Sequence, residues 1–228
     1  MVELTASTQS DLAALVNSSV AKSGEVIAAE FQSAGRGRLD RSFEAPPESA
    51  LLFSFFLKPK RARSDWSFIS FLAAIAMHEV ISKDIADKVS LKWPNDILIG
   101  ERKVAGLLAQ QIGDGVIVGI GLNVAMSEIE LPVPTATSLA LSGSNNLDRN
   151  TLLTDFLSSL ESIYAEWGSG ADFLEKYRQI SSTLGRQVRV EVLGRDSIEA
   201  EAVAITAQGA LILSDGTEVN VGDVVHLR

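Results

Sequence analysis

Val26-Ile27-Ala28-Ala29-Glu30-Phe31 leads into Gly35-Arg36-Gly37-Arg38-Leu39-Asp40-Arg41, and a second apolar run follows from Leu51 to Leu57. The two flanks read as core strands and the middle as the loop that joins them. Seven loop residues hold three arginines and two glycines, in a chain whose formal net charge is -9. Folding does not ask for that concentration. Glycine lets the backbone reach positive φ and approach a ligand closely, and arginine supplies a planar, permanently charged fork for phosphate or carboxylate oxygens. Alone, such a loop also reads as a solvated surface turn. Set between two strands, where a rigid scaffold commonly presents binding residues, it reads as an anion site for a nucleotide or pyrophosphate.

The rest of the chain sets limits. Its 228 residues suffice for one substantial domain plus a small one with a well-buried core. There is no cysteine, and His78 and His226 are the only histidines. Disulfides, thiolate zinc sites, a cysteine nucleophile and a histidine metal cluster are therefore excluded. The start, Met1-Val2-Glu3-Leu4-Thr5, lacks the basic and apolar regions of a signal peptide, and no apolar run approaches the ~20 residues of a membrane helix. A cytoplasmic protein with no membrane partner is expected. Its acidic balance speaks against nonspecific nucleic-acid binding, which needs clustered cations. Lys58-Pro59-Lys60-Arg61-Ala62-Arg63 is the local exception, read as a solvated turn or as a docking patch for an acidic partner.

Periodicity supplies the organisation. Leu12, Leu15 and Val16 have helical spacing within residues 10–17. A longer helix is expected from Ser64 or Asp65, either of which could cap it, burying Phe68, Phe71, Leu72, Ile75 and Ala76. Strands are expected at 88–93, 97–100, 103–111 and 116–124, with a hairpin across Gly100-Glu101-Arg102. A helix over 150–167 carries the stripe Leu152, Phe156, Leu160, Ile163 and Trp167, with Gly168 as its stop. From Gln187 onward the pattern becomes five short alternating runs, 187–192, 199–205, 210–213, 217–221 and 224–227, which suggests a small β-barrel appended to an α+β domain.

Three further segments carry chemistry. Lys92-Trp93-Pro94-Asn95-Asp96 ends an apolar strand, and Pro94 fixes an extended Trp93; Asn95 and Asp96 also read as plain turn residues. Lys103-Val104-Ala105-Gly106-Leu107-Leu108 opens an apolar strand with a lysine, which either snorkels to solvent or faces a polar ligand. Gly106 marks a close approach. Gly119-Ile120-Gly121-Leu122-Asn123 puts two glycines inside a strand that ends in an amide.

Taken together and in this order, these segments resemble the biotin–protein ligases, also called biotin–[acetyl-CoA-carboxylase] ligases, across essentially the whole chain. The family's GRGRxGRxW loop is GRGRLDRSF here, its KWPND stands intact at 92–96, KVAGLL at 103–108 matches K-x-x-G-[IL]-L, and GIGLN at 119–123 matches G-x-G-x-N. Ser7-Thr8-Gln9 corresponds to S-T-N, and the closing GDVVHLR is similar to the family's last strand. The resemblance implies a class II synthetase-like mixed sheet flanked by helices over residues 1–183 and an SH3-like β-barrel over 184–228. It implies a two-step reaction: biotin and ATP form biotinyl-5′-AMP, and a carrier lysine then takes the biotinyl group. Mg²⁺ is expected with the ATP.

By motif position, the resemblance assigns biotin or its adenylate to Ser7, Thr8, Gln9, Gln32, Arg36, Gly37, Arg38 and Lys103, with Gly106, Gly119 and Gly121 leaving room for its rings. Lys103 and Arg38 are the expected catalytic residues. The nucleotide falls to Arg38, Arg41, Phe43, Trp93, Asn95 and Asn123, with Asp96 a candidate for Mg²⁺. The expected partner is the biotin carboxyl carrier protein or domain of an acyl-CoA, acetyl-CoA or pyruvate carboxylase; a monomer or weak homodimer is expected, without DNA. The chain begins close to Ser7-Thr8, so a ligase without a DNA-binding domain is expected. Three positions depart from the family pattern: Gln9 for Asn, Asp40 for Gly and Phe43 for Trp. A lipoate-type ligase of the same fold, or a noncatalytic biotin or nucleotide sensor, remain the alternatives.

Overall fold

The computed structural model describes residues 2–38, 41–192, 194 and 196–227. Asp40, one of the three departures, lies outside the described residues. A seven-stranded sheet forms the frame: β1 (Val2–Thr5), β2 (Val26–Gln32), β3 (Ala50–Leu57), β4 (Val89–Lys92), β5 (Asp96–Ile99), β6 (Arg102–Ile112) and β7 (Gly115–Asn123). Its order is β1-β2-β3-β7-β6-β5-β4, and only the β1–β2 pair is parallel, so the sheet is mixed. The expected β5–β6 hairpin is present, with Gly100 at φ +59° in its turn.

β3, Ala-Leu-Leu-Phe-Ser-Phe-Phe-Leu, is buried along its whole length because helices cover both faces. Phe53 and Phe55 meet Phe156 of α3 (Arg149–Gly168) on one side. Phe56, on the other, packs with Leu12 of α1 (Thr8–Asn17). Successive side chains alternate faces, so Ser54 lies on the α1 side, and there the functional cleft forms.

The expected helix after residue 64 is in two parts, a 3₁₀ segment Arg63–Phe68 and α2 (Ile69–Ser82). Neither Ser64 nor Asp65 caps it; the 3₁₀ turn begins one residue earlier and α2 starts from Phe68, without a side-chain cap. α3 buries all five residues of its predicted stripe, and the Asp148 side chain accepts from Asn150 N–H to cap it. Gly168 is its last helical residue rather than its stop; the left-handed position is Gly170, φ +111°. The basic stretch is largely engaged with the chain itself. Lys58 pairs with Asp114 at 3.0 Å, and the Arg61 and Arg63 guanidinium groups lie 4.7 and 5.4 Å from the Trp167 and Trp66 rings. No helix among the described residues is long and apolar enough to cross a membrane.

After the short α4 (Leu174–Ile180) come β8 (Gln187–Glu191), β9 (Ile198–Ile205), β10 (Leu211–Leu213), β11 (Glu218–Val219) and β12 (Asp223–His226). They form a second, antiparallel sheet in the order β11-β10-β9-β8-β12. Its inward residues Val188, Val190, Leu211 and Val224 continue the main core. Trp93 fastens the two sheets: its indole N–H donates to Gly209 O at 2.9 Å and its backbone N–H to Thr183 Oγ1 at 3.0 Å.

Candidate active site

Three strands leave a bare patch on the α1 face of the large sheet. Gly106 on β6 lies directly across from Gly121 on β7, and Gly119 pairs with Ser54 on β3 and Leu108 on β6. Cross-strand partners and residues two apart share a face, so the three glycines and Ser54 sit side by side. Around this floor stand Ser7, Thr8, Gln9, Gln32, Arg36, Gly37, Arg38, Arg41, Phe43, Asn95, Asp96 and Lys103, lining one cleft. Segments scattered over a hundred residues of chain thus line one cleft.

One wall is a buried polar network. Thr8 donates from its backbone N–H and its hydroxyl to Gln32 Oε1 at 2.8 and 3.0 Å, and its Oγ1 lies 2.8 Å from Ser54 Oγ. Gln9 reaches Gln110 Oε1 at 3.4 Å. Ser7 occupies the N-cap position of α1 by backbone but gives the helix no side-chain hydrogen bond. These amides and hydroxyls, at the edge of a bare sheet, suit a flat ligand with polar edges.

The opposite wall is the arginine loop, whose described arms, residues 35–38 and 41–43, pair with each other. Gly37 N–H donates to Arg41 O at 2.7 Å, Phe43 N–H to Gly35 O at 3.0 Å, and Arg36 bridges Ser42. Gly35 is required here, since a Cβ would lie 2.2 Å from Phe43 O. Arg38 donates to Gly222 O at 3.4 Å, and Arg41 pairs with Asp223 at 2.5 Å. Burial pushes the Arg38 pKa down from its ordinary value, with Asp223 and Asp96 acting the other way and Arg41 adding to the fall. A partly desolvated guanidinium of this kind binds an arriving anion strongly.

Lys103 stands beside a bulge in the β5–β6 ladder, a device that re-aims side chains next to sites. Its Nζ is 2.6 Å from Asp96 Oδ1. That contact is an ion pair by distance, yet the buried Oδ1 accepts no well-angled hydrogen bond among the described residues. Asn95 fixes the turn, donating to Leu107 O at 2.7 Å while its own carbonyl accepts from Leu107 N–H.

The glycines act differently from the expectation that they directly clear space for rings. A Cβ at Gly106 would meet Lys103 Nζ at 3.1 Å, one at Gly119 Gln9 Oε1 at 2.6 Å, and one at Gly121 the Phe43 ring at 2.5 Å. They make room for the side chains that line the cleft. Two expected residues do not line this cleft, though each borders a cavity beside it, Trp93 one shared with Arg36, Arg38 and Asn95. Trp93 is core, its indole spent on Gly209. Asn123 is buried and donates to Thr137 O at 2.9 Å. It borders a wider cavity of about 980 Å³ that shares Arg41, Phe43, Asp96 and Lys103 with the cleft. Ser54 and Asp223 line the cleft without having been foreseen, and Gln110 stands behind it as the acceptor from Gln9. Ser54, a lone hydroxyl in an apolar strand, carried a readable signal; Asp223 stood within the closing GDVVHLR match, which gave its side chain no role.

Residues 1–126 match the biotin/lipoate A/B protein ligase family, and residues 183–227 match the biotin protein ligase C-terminal domain. The chain belongs to the biotin/lipoate A/B protein ligase family and, with that second match, is an enzyme of the biotin protein ligase kind. It is similar to the biotin–[acetyl-CoA-carboxylase] ligase of Mycobacterium tuberculosis, 36% identical over 100% of this chain and 88% of that protein. It is 33% identical to the bifunctional ligase/repressor BirA of Escherichia coli over 84% of this chain and 62% of BirA. Among solved structures it is similar to the Aquifex aeolicus biotin protein ligase in complex with biotin and ATP, with a TM-score of 0.83, 28% identity, and coverage of 100% of this chain and 97% of that one.

Proposed function

We propose that this chain activates biotin with ATP and transfers it to a lysine of a carboxylase carrier protein or domain. The observation that carries this reading is the single cleft in which a buried polar wall, a glycine floor beneath Gln9 and Phe43, the arginine loop and Lys103 converge. In the first step a biotin carboxylate oxygen attacks the ATP α-phosphorus, the bond to the β-phosphate oxygen breaks, and pyrophosphate leaves. In the second, a neutral carrier lysine amine attacks the acyl carbon and gives up a proton to solvent, and AMP leaves with the electrons of the broken acyl–oxygen bond.

Thr8, Gln9, Gln32 and Ser54 supply paired donors and acceptors for the polar ring edge, with Ser7 and the glycine floor beside them. Arg36, Gly37 and Arg38 would flank the adenylate. Lys103 and Arg38 would stabilise charge developing on phosphate and carboxylate oxygens in a site that limits water. The wider cavity behind Arg41, Phe43 and Asn123 would take the nucleoside. Mg²⁺ in such chemistry is held by phosphate oxygens and one or two carboxylates. The residues fit if the Lys103 ammonium, 2.6 Å from Asp96 Oδ1, gives way to the ion, since that buried oxygen accepts no hydrogen bond among the described residues. No cluster of three candidate ligands is found among those residues, so Asp96 would share the ion with phosphates and water. The ion would neutralise phosphate charge.

The catalytic unit is read as residues 1–183 and the smaller sheet unit as 184–228, in a cytoplasmic monomer or weak homodimer that does not bind DNA. A carrier lysine gaining biotin by mass analysis, only with ATP and biotin both present, supports the activity. Pyrophosphate release with lipoate and not with biotin would reassign the substrate.

A further inference from the structure

We propose that Asp223, on the last strand of the small sheet, is a positioning residue that aims Arg41 into the cleft. The proposal rests on the ligase reading above. Asp223 Oδ2 lies 2.5 Å from Arg41 Nη2, and the preceding residue's carbonyl accepts from Arg38 at 3.4 Å. Two adjacent groups of one strand therefore hold two arginines of one loop.

The strand is a rigid anchor. Asp223 and Val224 pair with Glu191 and Val190 of β8. Gly222 is pressed against the same strand, where a Cβ would come 3.0 Å from Glu191 O. The two partners differ in exposure: the Asp223 side chain is 18% exposed and that of Arg41 is 67%. Among the described residues Arg41 has no other carboxylate within 4.0 Å. Without Asp223, the long arginine side chain would spread over many rotamers in solvent. With it, the guanidinium is held at the junction of the cleft and the wider cavity, both of which it lines. Ordinary exposed ion pairs contribute little. This one has a fixed, half-buried acceptor, so its effect falls on where Arg41 points more than on stability.

The test compares wild type with Asp223→Asn and Asp223→Glu. Trypsin cleavage after Arg36, Arg38 and Arg41, followed by mass analysis of the ligand-free protein, reads the hold on the loop without any assumption about substrate. Asp223→Asn is expected to be cleaved about fivefold faster, and Asp223→Glu near the wild-type rate. In pyrophosphate-exchange assays, KM for ATP should rise about fivefold in Asp223→Asn with KM for biotin unchanged, and Asp223→Glu should recover it. Equal cleavage rates, or both KM values rising together with a lowered melting temperature, would overturn the proposal. If the wild type makes no biotinyl-adenylate while the cleavage difference stands, the ligase reading fails and the anchoring of the loop does not.

Discussion

Lys103 Nζ and Asp96 Oδ1 stand 2.6 Å apart over a cross-strand row that runs from Asp96 through Gly106 to Gly121. The pair holds an ammonium on rigid strands beside the arginine loop, where phosphate and carboxylate oxygens must meet. Lys103→Ala removes a preaimed cation from that point and should cut adenylate formation at least about hundredfold. The variant also leaves the Asp96 carboxylate, 22% exposed, without its cation, so a small fall in melting temperature is expected beside the much larger loss of activity. Undiminished pyrophosphate exchange in the variant would remove Lys103 from the mechanism.

Much of this was legible in the sequence, for physical reasons. Period-2 and period-3.6 apolar patterns located the main strands, α1 and α3, and all five C-terminal strands, because each buries one face against a neighbour. β1 escaped because its four residues are mostly exposed and owe their form to parallel pairing with β2. α4, seven residues long, offered too few turns for a pattern. At the site, motif residues announced their chemistry but not their direction. An amide at a strand end can face a cavity, as a ligand group would, or a distant carbonyl, as Asn123 faces Thr137. Asp223 was invisible for the same reason: its loop partners lie far away in sequence and nothing in the strand pattern singles it out.

Gly35 and Gly106 separate two meanings of a glycine within a motif. At Gly35 an added Cβ falls 2.2 Å from a backbone oxygen, which cannot yield without undoing the pairing of Gly35 with Phe43. At Gly106 it meets the flexible end of Lys103 at 3.1 Å. Gly35→Ala is therefore expected to speed trypsin cleavage in the loop and to weaken ATP binding. Gly106→Ala should leave the loop intact and lower turnover by displacing Nζ. Identical cleavage patterns in the two variants would refute this division.

Trp93 offers a test of core against ligand roles. Its indole donor is buried and bonded to Gly209 O, so Trp93→Phe leaves that carbonyl unsatisfied at the junction of the sheets. The cost should be about 1–2 kcal/mol, or a melting temperature lower by about 2–8 °C for a chain of this size. KM for ATP should stay within twofold of wild type. A large rise in KM with no loss of stability would return Trp93 to the nucleotide site.

His226 predicts the acid side of the stability curve. Thr183 Oγ1 accepts from the Trp93 backbone N–H and lies 3.2 Å from His226 Nε2. Beyond the Trp93 bond the hydroxyl keeps its proton and a second lone pair, so it can meet Nε2 of the neutral ring in either tautomer. Burial, then the charges of Lys92 and Arg186, push the His226 pKa down to about 4, with Glu101 acting the other way. The unfolded chain titrates near 6.5. Between those values the unfolded state binds a proton that the folded ring refuses, so stability falls as pH drops from 6.5 toward 4. Thermal melting should show that loss in the wild type, and His226→Gln, which cannot charge, should show a shallower one. Parallel melting-temperature curves for the two proteins across this window would exclude His226 as a source of the acid sensitivity.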